Sequence, residues 1–210
     1  AIQPMIFRMM NDSGNKRFYA RLLTYYTFGT MIIALAMMVF GLEITKLFAR
    51  RTEYFGAWHI FPFIIFSVVF GMMKDVATTG LSITKKTKII ALTVILTAVL
   101  NLMLNIVLIR WFGNQGAALS KLLSMMVFFV LTFYFAQKAY PIPYAWKKLL
   151  AYIGIVTSFF LIQKGLLYFY SPFWFQLVTG SALLFVFTWF ILLVEKKEFQ
   201  KLPVIGKYIH

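Results

Sequence analysis

Long apolar segments that exclude charge are the feature that most constrains the fold of this chain. Six of them lie at about residues 22–42, 57–73, 89–109, 115–137, 149–170 and 173–194. Each has about the 17–25 residues that a helix needs to cross a bilayer. Of the 21 basic and 6 acidic residues, only Lys121 and Lys164 lie within these segments, because charge is costly in hydrocarbon. The chain is therefore predicted to cross a membrane six times.

The pattern within these segments favours helices over a β-barrel. Runs such as MIIALAMMVF (residues 31–40) and MMVFFVLTFYF (residues 125–135) do not alternate between apolar and polar residues, as barrel strands do. The composition, 61% hydrophobic with a mean hydropathy of +0.82, excludes a soluble enzyme and a disordered chain. The net charge of +15 beside this hydropathy does not indicate nucleic-acid binding. The predicted fold class is an all-α integral membrane protein with six transmembrane helices.

The basic residues predict the orientation of the spans. Most of them fall on the side that holds the N-terminal segment, the loops before the third and fifth spans, and the C-terminal tail. The opposite side holds Lys46, Arg50, Arg51, Arg110 and Lys164. Cytoplasmic loops carry the excess of Lys and Arg, so both ends of this segment are expected in the cytoplasm. The basic side is also expected to meet anionic membrane lipids.

Polar residues recur along one face of the third span. Thr93, Thr97, Asn101 and Asn105 are spaced by four, which keeps them on one slowly drifting helix face. One interpretation is hydrogen bonding between helices, worth roughly 0.6 kcal/mol per contact in membranes. The other is a face that lines a hydrated cavity. The residue pattern leaves both open.

The fourth span begins with small residues and contains a charge. Gly116, Ser120 and Ser124 recur every four residues, which lets another helix approach closely, so we assign them to helix packing. The link between the third and fourth spans is short enough to require a tight turn, and Gly113 can end a helix with a positive φ. Lys121 lies about 10 Å deep at 1.5 Å per residue. It either contacts an anionic group in a cavity or snorkels to the interface.

The other ionisable residues do not form a catalytic or metal-binding pattern. Lys164 is expected at the interface, and Glu43 and Asp75 at span ends are expected to be solvated, with a proton or cation relay as the alternative for Glu43. His59 has no partner at ligand spacing. The sequence has no Walker-type glycine loop, Ser/His/Asp set or HExxH motif, and no cysteine. We therefore expect no enzyme activity, no cofactor and no metal.

Residues 101–124 contain a motif that is similar to one of a known protein family. The string NLMLNIVLIRWFGNQGAALSKLLS resembles the segment N-x3-N-x2-LI-x-x-FG-x-x-GAA-x4-LS of bacterial oligosaccharide flippases. These are the Wzx-type polysaccharide-export proteins of the MOP superfamily, whose relatives include the MATE exporters and the lipid II flippase. Two further segments resemble the family, the basic loop TKKTK (residues 84–88) and the connector YPIPYAWKK (residues 140–148). The family motif has a small or hydroxyl residue where this chain has Lys121.

The resemblance implies an architecture. Family members have two pseudo-symmetric lobes, and this chain would be most of the second lobe of a MATE-like transporter plus a C-terminal helix hairpin. Residues 1–146 would form the lobe helices, residues 147–194 the hairpin (149–170 and 173–194), and residues 195–210 a basic cytoplasmic tail. The N-terminal lobe of the same protein would be a missing partner.

The resemblance also implies a function. The intact protein would flip polyprenyl-pyrophosphate-linked oligosaccharides across the bacterial cytoplasmic membrane by alternating access, for O-antigen, capsule or exopolysaccharide synthesis. Lys121, Asn101, Asn105 and Thr97 are the candidates for the transport cavity. The lipid-linked oligosaccharide and the polysaccharide polymerase machinery are the expected partners, and no nucleic acid is expected.

Three alternatives remain. A MATE-like exporter of small molecules would need an intramembrane acid for ion coupling, which the six spans lack. A membrane glycosyltransferase or polymerase of polysaccharide synthesis would need large outer loops with acidic or arginine-rich sites, and the outer loops here are short. The third alternative is a scaffold that does not transport.

Overall fold

The computed structural model describes residues 14–48, 58–169 and 173–199, and all the regular structure in these residues is helical. The α-helices are α1 (Asn15–Val39), α2 (Gly41–Phe48), α3 (Phe61–Ala77), α4 (Thr79–Ile83), α5 (Thr87–Ala139), α6 (Trp146–Phe169) and α7 (Phe173–Phe199). Residues 58–60 add one 3₁₀ turn before α3. This architecture confirms the predicted all-α membrane fold.

The long helices account for all six predicted spans. Five helical segments are long and apolar enough to cross a membrane, and one of them is α5, with 53 residues. At 1.5 Å per residue a straight helix of that length would measure about 80 Å, far more than the about 30 Å of hydrocarbon. The predicted third and fourth spans both lie within α5. Arg50, Arg51 and residues 200–210 of the basic tail lie outside the described residues.

Helix α1 lies at the centre of the packing. It contacts α3, α6 and α7, and its buried side chains follow a helical spacing along one side: Leu23, Thr27, Met31, Leu35 and Met38. α1 also begins at Asn15, before the apolar segment predicted from residue 22. The first two turns of α1 therefore carry basic residues at one end of the bundle, where they can meet water and headgroups.

The second span continues further than the apolar segment that predicted it. The candidate span runs over Trp58–Ile83, past residue 73, where the apolar run ends. Lys74 pairs with the carboxylate of Asp75, and its ammonium lies 4.8 Å from the ring centroid of Phe128 on α5. The Asp75 side chain is 67% exposed, and its expected solvation stays a prediction. Because Lys74 and Asp75 pair with each other, the candidate span can continue past these two charged residues.

Helix α5 presents a wide apolar surface. Leu102 and Ile106, for example, are 63% and 66% exposed, and comparable exposure extends along residues 92–112. An apolar surface of this extent is unfavourable in water and favourable in hydrocarbon or against another apolar element. The burial pattern therefore agrees with a membrane-embedded helix.

Candidate functional site

Helix α5 reverses direction at Gly113. This residue has φ 55° and ψ −133°, a conformation that L side chains rarely adopt and that glycine adopts readily. Residues 87–112 form the first arm and residues 114–139 the second arm. A Cβ atom at Gly116 would overlap the carbonyl group of Leu108, so the two backbones touch directly after the turn. The predicted tight turn is present, and it places the two arms side by side.

A chain of amide and hydroxyl hydrogen bonds joins the two arms. The Asn101 side-chain amide donates to Ser124 Oγ at 3.0 Å and to the Ser120 carbonyl oxygen at 3.4 Å. The Asn105 amide donates to Asn101 Oδ1 at 3.1 Å. The polar face of the first arm therefore meets the small-residue face of the second arm. This inter-arm cluster, Asn101, Asn105, Ser120 and Ser124, comes from two patterns that the sequence showed separately.

The threonines of the polar face lie deeper in the packing. Thr93 and Thr97 are buried, and the Thr97 hydroxyl donates to the Thr93 carbonyl at 2.8 Å. Asn101 and Asn105, by contrast, are only partly buried. Burial therefore decreases along the polar face toward the Gly113 turn.

Lys121 is exposed and lies outside the inter-arm cluster. It follows Ser120 by one residue, which turns its side chain about 100° away from Asn101. Met125, one turn further on the same helix face, has its sulfur 3.9 Å from the position of a Cβ atom at Gly71 of α3. Lys121 thus lies at the edge of the second arm that borders α3. Lys164 is also exposed, on α6.

Glu43 departs from its prediction. It lies in the first turn of α2, and both of its carboxylate oxygens are buried with no hydrogen-bond partner among the described residues. The expectation that Glu43 is solvated is therefore wrong. Helical hydrogen bonding continues across the break at Phe40, with Ile44 N–H donating to the Phe40 carbonyl at 2.9 Å. Gly41 lies against the ring of Phe61, which packs the start of α2 against the start of α3. That tertiary contact has no signal in the local sequence. The proton or cation relay through Glu43 stays a prediction.

The connector between α5 and α6 is held by an aromatic cluster and by one glutamine. Tyr144 packs against Phe133 at 5.6 Å between ring centroids, and Trp146 packs edge-on against Phe133 at 4.2 Å. Burial raises the pKa of the Tyr144 phenol. Gln137 was not singled out by the sequence, yet its amide oxygen and nitrogen bond the Ile142 backbone N–H and C=O at 2.8 and 2.7 Å. A glutamine in the last helical turn before a proline-containing connector was the available signal.

The described residues offer no cluster of three His, Asp or Glu side chains that could bind one metal ion together. What α5 does offer is two partly buried amides, Asn101 and Asn105, and an exposed lysine, Lys121, on a different face of the second arm. Such groups can donate hydrogen bonds to hydroxyls and to anionic oxygens.

This fold occurs in a solved flippase. The structure is described as lipid II flippase MurJ in an inward closed conformation, and it matches with a TM-score of 0.68 and 16% sequence identity. The match covers 91% of this chain and 42% of the flippase chain, so this chain spans less than half the length of its structural neighbour. No family model matches the sequence. No curated protein matches it significantly.

The similarity shows how the helices are arranged, whereas composition predicted only that they are membrane helices. Because the match covers 91% of the chain, it includes most of the described helices and their packing. The chain thus has the helical arrangement of the matched part of that structure.

Proposed function

We propose that this chain is most of the second lobe, plus a terminal helix hairpin, of a transporter that flips polyprenyl-pyrophosphate-linked oligosaccharides across the bacterial cytoplasmic membrane. The observation that carries the proposal is the fold match to the lipid II flippase over 91% of the chain. The resemblance of residues 101–124 to the oligosaccharide flippases supports the choice of a glycan cargo, for O-antigen, capsule or exopolysaccharide synthesis.

The chemistry of the cargo explains what such a protein must provide. Moving a sugar headgroup from water into hydrocarbon costs roughly 2–7 kcal/mol for each polar group that loses its hydrogen bonds, depending on the reference solvent. A polar path between two lobes removes this barrier, and alternating access opens the path to one side at a time. The polyprenyl tail stays in the bilayer throughout. The N-terminal lobe of the same protein would supply the other wall of the path.

Within this chain, Lys121 is the first candidate for contact with the pyrophosphate. It is exposed, and an ammonium forms strong charge-assisted bonds with phosphate oxygens. Asn101 and Asn105 are partly buried on the first arm and would contact sugar hydroxyls. Thr97 is buried and bonded to its own helix, so its part in the cavity would be to fix the position of the asparagines.

The charge distribution supports a location in the cytoplasmic membrane with both ends of this segment in the cytoplasm. The same basic surface would meet anionic lipids. Polysaccharide polymerase machinery, which consumes the flipped units, is the proposed protein partner. On this account the protein is a transporter and not an enzyme.

A MATE-like exporter of small molecules is the second candidate, and Glu43 is the observation that favours it. A buried carboxylate without a partner among the described residues is a group that could exchange a proton or a cation during transport. The two candidates differ in cargo. A transport assay distinguishes them by showing whether the lipid-linked oligosaccharide or a small molecule crosses the membrane.

Complementation tests the proposed function. The intact protein is produced in bacteria that lack their own oligosaccharide flippase, and surface polysaccharide is measured beside the amount of protein in the membrane. We expect the polysaccharide to return. Normal membrane levels without any polysaccharide, or export of small cations instead, would refute the proposal.

The same cells test the role of Lys121. Lys121→Thr should reduce the restored polysaccharide while the protein level stays unchanged. Lys164→Thr, which removes the other lysine found within a predicted span, is the matched control and should leave transport intact. Equal polysaccharide from both variants would remove Lys121 from the cavity.

A further inference from the structure

A basic pocket lies at the end of the bundle where α1 begins. It is lined by Arg17, Ala20, Arg21, Thr24 and Tyr25 of α1, and by Pro143, Ala145 and Lys148 of the connector and the start of α6. Its volume is about 180 Å³, more than ten times the about 10–15 Å³ that one water molecule requires. The pocket is thus large enough for a polyatomic group.

The lining brings three cations together from distant parts of the chain. Arg17, Arg21 and Thr24 are spaced at i, i+4 and i+7, so they share one face of α1. Lys148 approaches from the first turn of α6. No carboxylate is found among the described residues that line the pocket. The arrangement is one that attracts an anion.

The walls are fixed in place before any ligand arrives. The Tyr140 hydroxyl donates to Asn15 Oδ1 at 2.9 Å, and the Lys16 ammonium lies 4.9 Å from the Tyr140 ring centroid. On the connector, Gln137 holds Ile142 through two hydrogen bonds. These contacts tie the connector to the first turn of α1, so a bound anion would not have to order the two walls itself.

The pocket also has the mixed character of a headgroup site. Ala20, Pro143 and Ala145 contribute apolar surface, while Tyr25 and Thr24 contribute hydroxyl-bearing side chains. Arg17 and Pro143 are exposed at the mouth, whereas Thr24 is buried toward the apolar part of α1. A ligand there would therefore have its charge at the membrane surface and its less polar part directed into the bundle.

We propose that this pocket binds the phosphate group of an anionic membrane lipid on the basic side of the protein. Arg17, Arg21 and Lys148 contact the phosphate oxygens, and the apolar lining contacts the glycerol. Basic pockets between membrane helices on the cytoplasmic side bind lipid headgroups in this way. The site would join α1 to the connector of the hairpin. It is independent of the cargo, so it stands or fails separately from the proposed transport.

Lipid retention tests the site. The intact protein is purified in detergent with added phosphatidylglycerol, and the bound lipid is counted by native mass spectrometry. The test variant is Arg17→Gln/Arg21→Gln/Lys148→Gln. Its matched control, Lys86→Gln/Lys88→Gln/Lys138→Gln, removes three exposed cations from the same predicted side of the membrane.

We expect the pocket variant to retain phosphatidylglycerol more weakly, by about fivefold for each lost cation, and the control variant to retain it as the unaltered protein does. Phosphatidylcholine, whose headgroup has no net charge, should be retained weakly by all three proteins. Inorganic phosphate and pyrophosphate form a separate arm. If either anion displaces the lipid from the unaltered protein at a similar concentration, the pocket binds phosphate, but its ligand is a free anion and not a lipid headgroup.

Equal retention of phosphatidylglycerol by the unaltered protein and both variants would overturn the proposal, and so would an equal loss in the two variants. The helical circular dichroism of each protein is measured first. If the triple variant does not fold, Lys148→Gln alone, compared with Lys147→Gln, provides the same comparison with a single charge removed.

Discussion

Replacing Gly116 by alanine should separate the two arms of α5. A Cβ atom at residue 116 would overlap the Leu108 carbonyl group and lie 2.9 Å from the Ile109 nitrogen. Both neighbours are backbone, so neither can move aside as a flexible side chain would. Overpacking of this kind costs about 1–3 kcal/mol.

Separation of the arms also lengthens the two hydrogen bonds that Asn101 donates to Ser124 and Ser120. Contacts of this type contribute about 0.6 kcal/mol each in membranes. We therefore expect Gly116→Ala to lower the free energy of unfolding by about 2–4 kcal/mol in total.

The assay is unfolding in mixed micelles of increasing SDS content, followed by helical circular dichroism and by the fluorescence of the 5 tryptophans. Gly154→Ala is the control, because a Cβ atom there meets nothing within 4 Å and alanine favours a helix by about 1 kcal/mol. If Gly116→Ala is as stable as the unaltered protein while Gly154→Ala behaves as expected, the close contact between the arms is refuted.

Two further predictions concern the same hairpin. A double-mutant cycle of Asn101→Ala and Ser124→Ala should give a coupling energy of about 0.6 kcal/mol, and at most about 1.7; a coupling of zero would show that the amide and the hydroxyl do not bond. The chain has no cysteine, so Lys86→Cys, Lys138→Cys and Asn114→Cys can each be labelled with a membrane-impermeant maleimide. The first two should react from one side of the membrane and the third from the other, and labelling of Lys86→Cys and Lys138→Cys from opposite sides would refute the reversal at Gly113.

The spans and the reversal of α5 could be predicted from the sequence because their causes are local. Exclusion of charge marks each span, and a glycine in a short polar link marks a tight turn. Once the turn at Gly113 is fixed, the spacing of Asn101 before it and Ser124 after it places the two side chains at similar heights on adjacent arms. The continuation of the second span through Lys74 was not predicted, because the ion pair and the contact with Phe128 depend on neighbours that a run of hydropathy values does not contain.

Some of the candidate sites were also visible in the sequence, whereas others depend on tertiary packing. The two faces that form the inter-arm cluster were each visible as a four-residue periodicity, but the sequence did not pair them. The burial of Glu43 did not follow from any pattern, because it depends on the tertiary packing around α2, where Gly41 lies against the ring of Phe61. The pocket of Arg17, Arg21 and Lys148 was also invisible in the sequence, where these residues appeared only as part of the general basic excess. Its walls meet through Tyr140 and Asn15, which are 125 residues apart in the sequence.

Direct translocation in liposomes is the measurement closest to the central claim. The intact protein is reconstituted with a polyprenyl-pyrophosphate-linked oligosaccharide, and a membrane-impermeant sugar oxidant is added outside. Without protein, only the headgroups of the outer leaflet should react. The account predicts that the protein makes the inner-leaflet headgroups reactive as well, and that Lys121→Thr slows this step while Lys164→Thr does not. Inner-leaflet headgroups that stay protected in the presence of folded, correctly inserted protein would contradict the account.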